Sequence, residues 1–418
     1  MSAIAGHPRA IDLSHTKTTV VSQTSQDLVE KTRRADSPLE DGLPYQQSIA
    51  LLHAARERLV FTEGYPVPLP KTEDELVVEI KAIGLNPVDW KSIDYNFAIP
   101  QLPYIAGRDF AGVVIRAPTA SSRLRVGDLV LSPSTDYRDI RKSAFQEYAI
   151  STHQNVARIP RIIATTQGAS IGVAFVAAAL ALGVSLGLKL PDLSGEKGVD
   201  LWDAVRRLPS GALPADVEAE CVSSIEDNER LQHGDHIAIY GGSSTSALFI
   251  SEIARLGGLR VILLADGVKH GGRLGEREGC ILVDSHDPLR AIEIVRSITK
   301  GQLRFAVDTV GKETAGYLAQ MLQSDSQEGR RSHLVGLTGV PKEKVDGIVA
   351  HSVPIKVFHE VPSIGLSMMN WLERALETEA IILPEVEQAS PSGLDGINAA
   401  LDRMRRGEIS GRRLVVSV

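Results

Sequence analysis

The run Gly241-Gly242-Ser243-Ser244-Thr245-Ser246 places two residues without side chains ahead of four hydroxyls. Glycine lets a main chain approach an anion closely, and hydroxyls and free amides at a helix start can donate to phosphate oxygens. Diphosphate binding suits this composition, and a plain strand-to-helix turn with a hydroxyl cap is the alternative. A second set of residues is dispersed. Lys91 could set a cation beside developing negative charge, Tyr95 and His359 could donate protons, and Asn86 and Asp89 could orient a ligand. Each has a structural alternative: a solvated lysine, a packed tyrosine, a core histidine, and Asx side chains that only fix the turn around Pro87.

The flanks of the glycine and serine run favour the chemical reading. His236 to Tyr240 is a short aliphatic strand pattern, and Leu248, Phe249, Ile253 and Leu256 recur at helical spacing before Gly257-Gly258 ends the helix. Arg260 to Ala265 is a second apolar strand, with Asp266 at its end. Strand, glycine turn, helix, strand and acid outline a mononucleotide-binding βαβ unit, although the spaced three-glycine form is not intact. Asp266 would accept from the hydroxyls of an adenosine ribose and repel a 2′-phosphate, whereas Lys269, His270 and Arg273 would attract that phosphate. The two signals conflict, so NAD(H) and NADP(H) both stay open.

Composition narrows the partners. The 418 residues suffice for two domains, and 45 Lys and Arg against 52 Asp and Glu give a net charge of −7 with no basic stripe, which argues against nucleic acid. Cys221 and Cys280 are the only cysteines, too few for a disulfide framework or a four-cysteine zinc site, and they suit a reducing, cytoplasmic setting. The apolar run Ile171 to Leu188 approaches the length of a membrane span but is rich in Ala and Gly, so a buried helix and no membrane partner are expected.

Along the chain, residues 1–43 are polar and aperiodic and are expected to be a disordered extension. Short strand patterns separated by Gly and Pro follow, among them Ser48 to Leu52, Leu59 to Phe61, Glu75 to Ala82 and Ala144 to Ala149, with Ile83 to Ser92 read as a polar turn. Pro191 to Asn228 reads as an irregular excursion. Beyond Asp266, strand patterns at Cys280 to Asp284, Phe305 to Asp308 and Ser332 to Leu337 alternate with helical ones, the mark of a doubly wound parallel sheet. Leu337 falls at a strand end, where such sheets bind ligands. Lys356 to Pro362 reads as a strand and loop, Trp371 to Leu376 and Ile397 to Met404 as helices, and Gly411 to Val416 as a last strand.

The ordered segments VEIKAIGLNPVDWK, PYIAGRDFAGVV, VGDLV, AFQEYA, YGGSSTSA and ALDRMRRGEISGRRLVV resemble the medium-chain dehydrogenase/reductase superfamily, most closely the zinc-independent fungal enoyl reductases that partner polyketide synthases. The resemblance spans roughly residues 46–418. It implies an α/β protein with a GroES-like β domain at 44–163, a Rossmann dinucleotide-binding domain at 164–350 and a C-terminal segment, 351–418, returning to the first domain. A nicotinamide would lie between the domains. Zinc-dependent members carry a cysteine where this chain has Asn86, and Gly-His-Glu where it has Gly107-Arg108-Asp109. Amide and guanidinium groups are poor zinc ligands, so no metal is expected.

The function implied is hydride transfer from NAD(P)H to an activated enoyl or enone double bond in secondary metabolism. Substrates would be small molecules, with a carrier-bound enoyl thioester among them, acted on by a monomer or homodimer. A quinone reductase and a non-catalytic dinucleotide-binding or interaction protein are the alternatives.

Overall fold

The computed structural model describes residues 43–195, 197–324 and 329–418, so the expected extension lies outside the described residues apart from its last position. Residues 46–418 form one compact unit, whose architecture follows.

Six parallel strands form one sheet in the order Cys280–Asp284, Arg260–Ala265, His236–Tyr240, Phe305–Asp308, Ser332–Gly336 and Ile348–Ser352. The chain starts in the middle, winds outward one way through three strands, then returns to the centre and winds the other way. Its switch point lies between His236–Tyr240 and Phe305–Asp308, where Tyr240 pairs with Asp308. Ile237, Ala238 and Ile239 are fully buried because helices cover both faces of a parallel sheet. The sixth strand, Ile348–Ser352, was not marked by the sequence pattern.

A mixed sheet of seven strands holds Glu75–Gly84 near its middle, paired antiparallel to Asp109–Arg116, Tyr148–Thr152 and the C-terminal Arg413–Ser417. The last strand therefore lies beside the first long one, with Val415 opposite Gly84. A three-stranded sheet of Gln46–Leu52, Val60–Pro66 and Tyr104–Ile105 completes this part.

The alanine-rich run forms the helix Gly172–Leu180, extended by a wider turn over Ala181–Ser185. With its preceding turn it is long and apolar enough to cross a membrane, but 89% of that span is buried inside the fold. Phe175 explains why: its ring stacks on Trp371 at 5.9 Å and meets Phe249 edge-on at 6.1 Å. The helix is thus held between Thr245–Leu256 and Pro362–Glu377.

Three local readings change, and one stretch for which the sequence pattern named no element gains one. Ile83 to Ser92 is not all turn, because Pro87–Tyr95 is a helix started by Asn86 as N-cap and Pro87 in the first turn. The basic stretch after Asp266 is the helix Gly267–Gly275. Lys356–Glu360 is a one-turn helix instead of a strand, its alternating residues being too few to reveal a period. Within the excursion, Leu201–Arg206 and Glu218–Ser223 are helices and Asp227–Glu229 a 3₁₀ turn.

Candidate active site

The glycine and serine turn opens at the carboxyl end of the central strand. Gly241 has φ of +78°, and a Cβ there would sit 2.3 Å from Thr309 Oγ1, so both conformation and space require glycine. The N–H groups of Gly241 and Gly242 both donate to Leu264 O, at 3.1 and 2.9 Å, which binds the turn to the neighbouring strand. Ser244 caps the helix: its hydroxyl accepts from Ala247 N at 3.1 Å and lies 3.0 Å from Thr309 Oγ1. Ser244 is therefore committed to structure, while the amides of Thr245 and Ser246 have no acceptor within the helix. Ser243, Thr245 and Ser246 are half-buried.

Across the switch point, Thr309 donates to Tyr240 O at 2.9 Å, and Asp308 Oδ1 accepts from the amides of Val310 and Gly311 at 2.9 and 2.7 Å. Leu337 is tied to the same lip through its N–H to Asp308 O, 2.9 Å. Thr309 lies in the Asp308–Gly311 strand end, which the sequence pattern puts, like Leu337, on the side where such sheets bind ligands.

At the second strand end, Asp266 caps the following helix by accepting from Lys269 N at 2.9 Å, and Lys269 Nζ lies 3.3 Å from its other oxygen. The three bases separate here. Lys269 stays exposed beside Asp266, whereas His270 is buried with Nε2 3.0 Å from Ser410 Oγ. Arg273 lies against Gly411, where an added Cβ would meet its Nη2 at 2.7 Å. Burial lowers the His270 pKa, with Arg273 adding to the effect.

The GroES-side residues knit into one buried cluster. Asn86 Nδ2 donates to Asp109 Oδ2 at 3.0 Å and Asn86 Oδ1 accepts from Arg413 at 2.5 Å. Arg413 also pairs with Asp109 at 2.6 Å, and Val173 N donates to the other Asp109 oxygen at 2.7 Å. Asp89 Oδ2 accepts from Asn86 N at 2.7 Å; its Oδ1 is buried and finds no partner among the described residues. Burial pushes the Asp89 carboxyl up to about 7. Arg108 bonds the Tyr104 hydroxyl, lies 3.8 Å from the centre of the Tyr137 ring, and leaves a buried Nη1 equally unpartnered. Arg413, Tyr104 and Tyr137 were missed, because nothing local in the sequence shows that the last strand and a loop converge on Arg108 and Asp109.

The proton-donor candidates differ. Tyr95 ends its helix 64% exposed, with Trp90 6.1 Å away, while Lys91 Nζ lies 5.7 Å from the Trp90 ring. His359 is half-buried, its Nδ1 2.8 Å from Thr135 Oγ1, and desolvation of its ring lowers its pKa so that the neutral form is favoured.

Comparison with known proteins fits this geometry. Residues 72–161 match the alcohol dehydrogenase GroES-like domain. The trans-enoyl reductase FMN2 of Fusarium mangiferae is 25% identical over 84% of this chain and 93% of its own length. The trans-enoyl reductase mycC of Thermothelomyces thermophilus is 27% identical over 90% and 98%. The chain thus resembles the medium-chain dehydrogenase/reductases and, along most of its length, the trans-enoyl reductases among them. An alcohol dehydrogenase superfamily protein from Novosphingobium aromaticivorans shares the fold with a TM-score of 0.67 at 17% identity, over 89% of this chain and 99% of that one. The chain is an oxidoreductase, and its α/β fold is the expected pairing of a GroES-like part with a parallel Rossmann sheet.

Proposed function

We propose that this oxidoreductase transfers a hydride from NAD(P)H to the activated carbon–carbon double bond of an enoyl or enone substrate, without zinc. The observation that carries the reading is the Gly241–Ser246 turn at the switch point, where Gly241 admits no Cβ and first-turn amides are left for a diphosphate. Trans-enoyl reductases of similar length among the relatives support the choice of acceptor.

Bound across this turn, a reduced nicotinamide supplies the hydride. The chain's own residues bind, orient and polarise. Thr245 and Ser246 would donate to the diphosphate, with Ser243 beside them, and Leu337 with Thr309 forms the lip beyond. The donor set opposite does not fit zinc: Asn86 is bonded on both amide atoms, Asp109 is neutralised by Arg413, and Arg108 is a cation. Polarisation then falls to hydrogen bonds and positive charge, with Arg108 Nη1 and Lys91 as the cationic candidates for a developing enolate. Tyr95 and the Thr135–His359 pair are the candidate proton sources. A small-molecule or carrier-bound thioester and a cytoplasmic setting accompany this reading.

The test is stopped-flow oxidation of NADPH and NADH by full-length protein against a panel of enoyl thioesters, enones and quinones. Saturable oxidation with an enoyl thioester or enone is expected. Oxidation by quinones alone, or coenzyme binding with no turnover on any acceptor, would overturn the proposal.

A further inference from the structure

At the carboxyl ends of the strands Arg260–Ala265 and Cys280–Asp284, Asp284 and His286 join the Asp266 and Lys269 already described. Asp266 follows Ala265, and Ala265 pairs in register with Asp284 at the end of the neighbouring strand. Both carboxylates turn onto the start of the helix Gly267–Gly275: Asp266 Oδ1 accepts from Lys269 N at 2.9 Å, and Asp284 Oδ1 from Gly267 N at 2.8 Å. His286 lies between them, Nδ1 3.0 Å from Asp284 Oδ1 and Nε2 3.4 Å from Asp266 Oδ2. Lys269 Nζ is the remaining charge at this point, 3.3 Å from Asp266 Oδ2. Asp287, next along the chain, caps its own helix through Arg290 N at 3.0 Å. Asp284 and His286 are more than half exposed, so a ligand can reach them.

Resting on the coenzyme assignment above, we propose that Asp284 and His286 join Asp266 in setting coenzyme choice, with NADH favoured while the imidazole is neutral and NADPH gaining as it takes up a proton.

The charge count gives the reason. With His286 neutral, two carboxylates face one ammonium, a net negative site that accepts ribose hydroxyls and repels a phosphate monoester carrying about −2. The carboxylates also occupy helix amides that a phosphate would otherwise use. Protonation of His286 balances the site and provides a second cation, which can leave the carboxylates to pair with a 2′-phosphate. With His270 and Arg273 turned to the Ser410–Gly411 loop, Lys269 and His286 are the bases left facing Asp266. The two carboxylates hold the His286 pKa above its ordinary value, Asp284 contributing most, so the ring takes up its proton at a higher pH than a free imidazole does.

Fluorescence titration of the full chain with NADH and with NADPH, from about pH 6 to pH 8.5, reads this directly. The NADPH-to-NADH affinity ratio is expected to rise as pH falls, by at most about tenfold per unit for one linked proton. His286→Gln should flatten that rise; the 2′-phosphate's own titration near about pH 6 persists in the variant and is thereby separated. Asp284→Asn, whose amide oxygen still receives Gly267 N, should shift the ratio several-fold toward NADPH. A ratio that does not change with pH, an identical profile in His286→Gln, or no shift in Asp284→Asn would overturn the proposal. If neither coenzyme binds, the assignment beneath it falls and the proposal with it; binding of both with an unmoved ratio overturns the proposal alone.

Discussion

At the residue scale, single atoms decide what the turn tolerates. Alanine at position 241 would combine a positive φ with a methyl 2.3 Å from Thr309 Oγ1. Gly241→Ala is expected to cost about 1–3 kcal/mol and to weaken coenzyme binding at least about tenfold, both read from thermal denaturation with and without coenzyme. Arg413 offers a second case. Its removal leaves Asp109 buried and uncompensated, so Arg413→Met should destabilise by about 3–5 kcal/mol in a urea titration, and adding Asp109→Asn should restore a large part of that. The glycines and serines of the turn were legible in the sequence because each rule that marks them is local. Arg413, Tyr104 and Tyr137 were not, because their roles arise from contacts with Asp109 and Arg108 across non-adjacent elements.

At the scale of elements, strands with helices between them could be read from periodicity, whereas short or weakly patterned pieces could not. Pro87–Tyr95 carries the signals of a helix start in Asn86, Pro87 and Asp89, but only Ile93 among its apolar residues is buried, so no stripe betrayed it. The excursion is another instance. Its Glu220 lies 2.9 Å from His351 Nδ1, whose Nε2 lies 2.9 Å from His333 Nδ1, and Glu229, one residue beyond the excursion, pairs with Arg331. Burial and the neighbouring His351 push the His333 pKa from its ordinary 6.5 down to about 3. A folded-state value below the unfolded one means that the stabilisation is complete above about pH 6.5 and is lost progressively as the pH falls toward the folded value. Glu229, also depressed, loses its contribution in the same direction at lower pH. The urea midpoint is therefore expected to decline from pH 7 to pH 4, and His333→Phe should shallow that decline; an unchanged slope in the variant would remove His333 as its source.

At the scale of the whole molecule, the helix Pro362–Glu377 ties the two large sheets together. Its Trp371 packs on Phe175 beside the Rossmann helices, while its buried Glu373 accepts from Arg123 at 2.9 Å and from Arg158 N and Nη2, both at 2.9 Å, on the GroES side. Glu373→Gln should lower stability by about 2 kcal/mol in urea unfolding, since it weakens charge-assisted bonds to two arginines at once. The sequence indicated the fold class through its alternating strands and helices, yet gave no sign of this clamp, whose partners lie about two hundred or more positions apart. The central claim concerns what the assembled cleft does. Metal-free protein, incubated with coenzyme deuterated at the transferable C4 position and an enoyl thioester, tests it most directly by mass spectrometry. The account predicts one deuterium on the β-carbon of a saturated product with no zinc added. Reduction that appears only on adding zinc, or a product without the label, would contradict it.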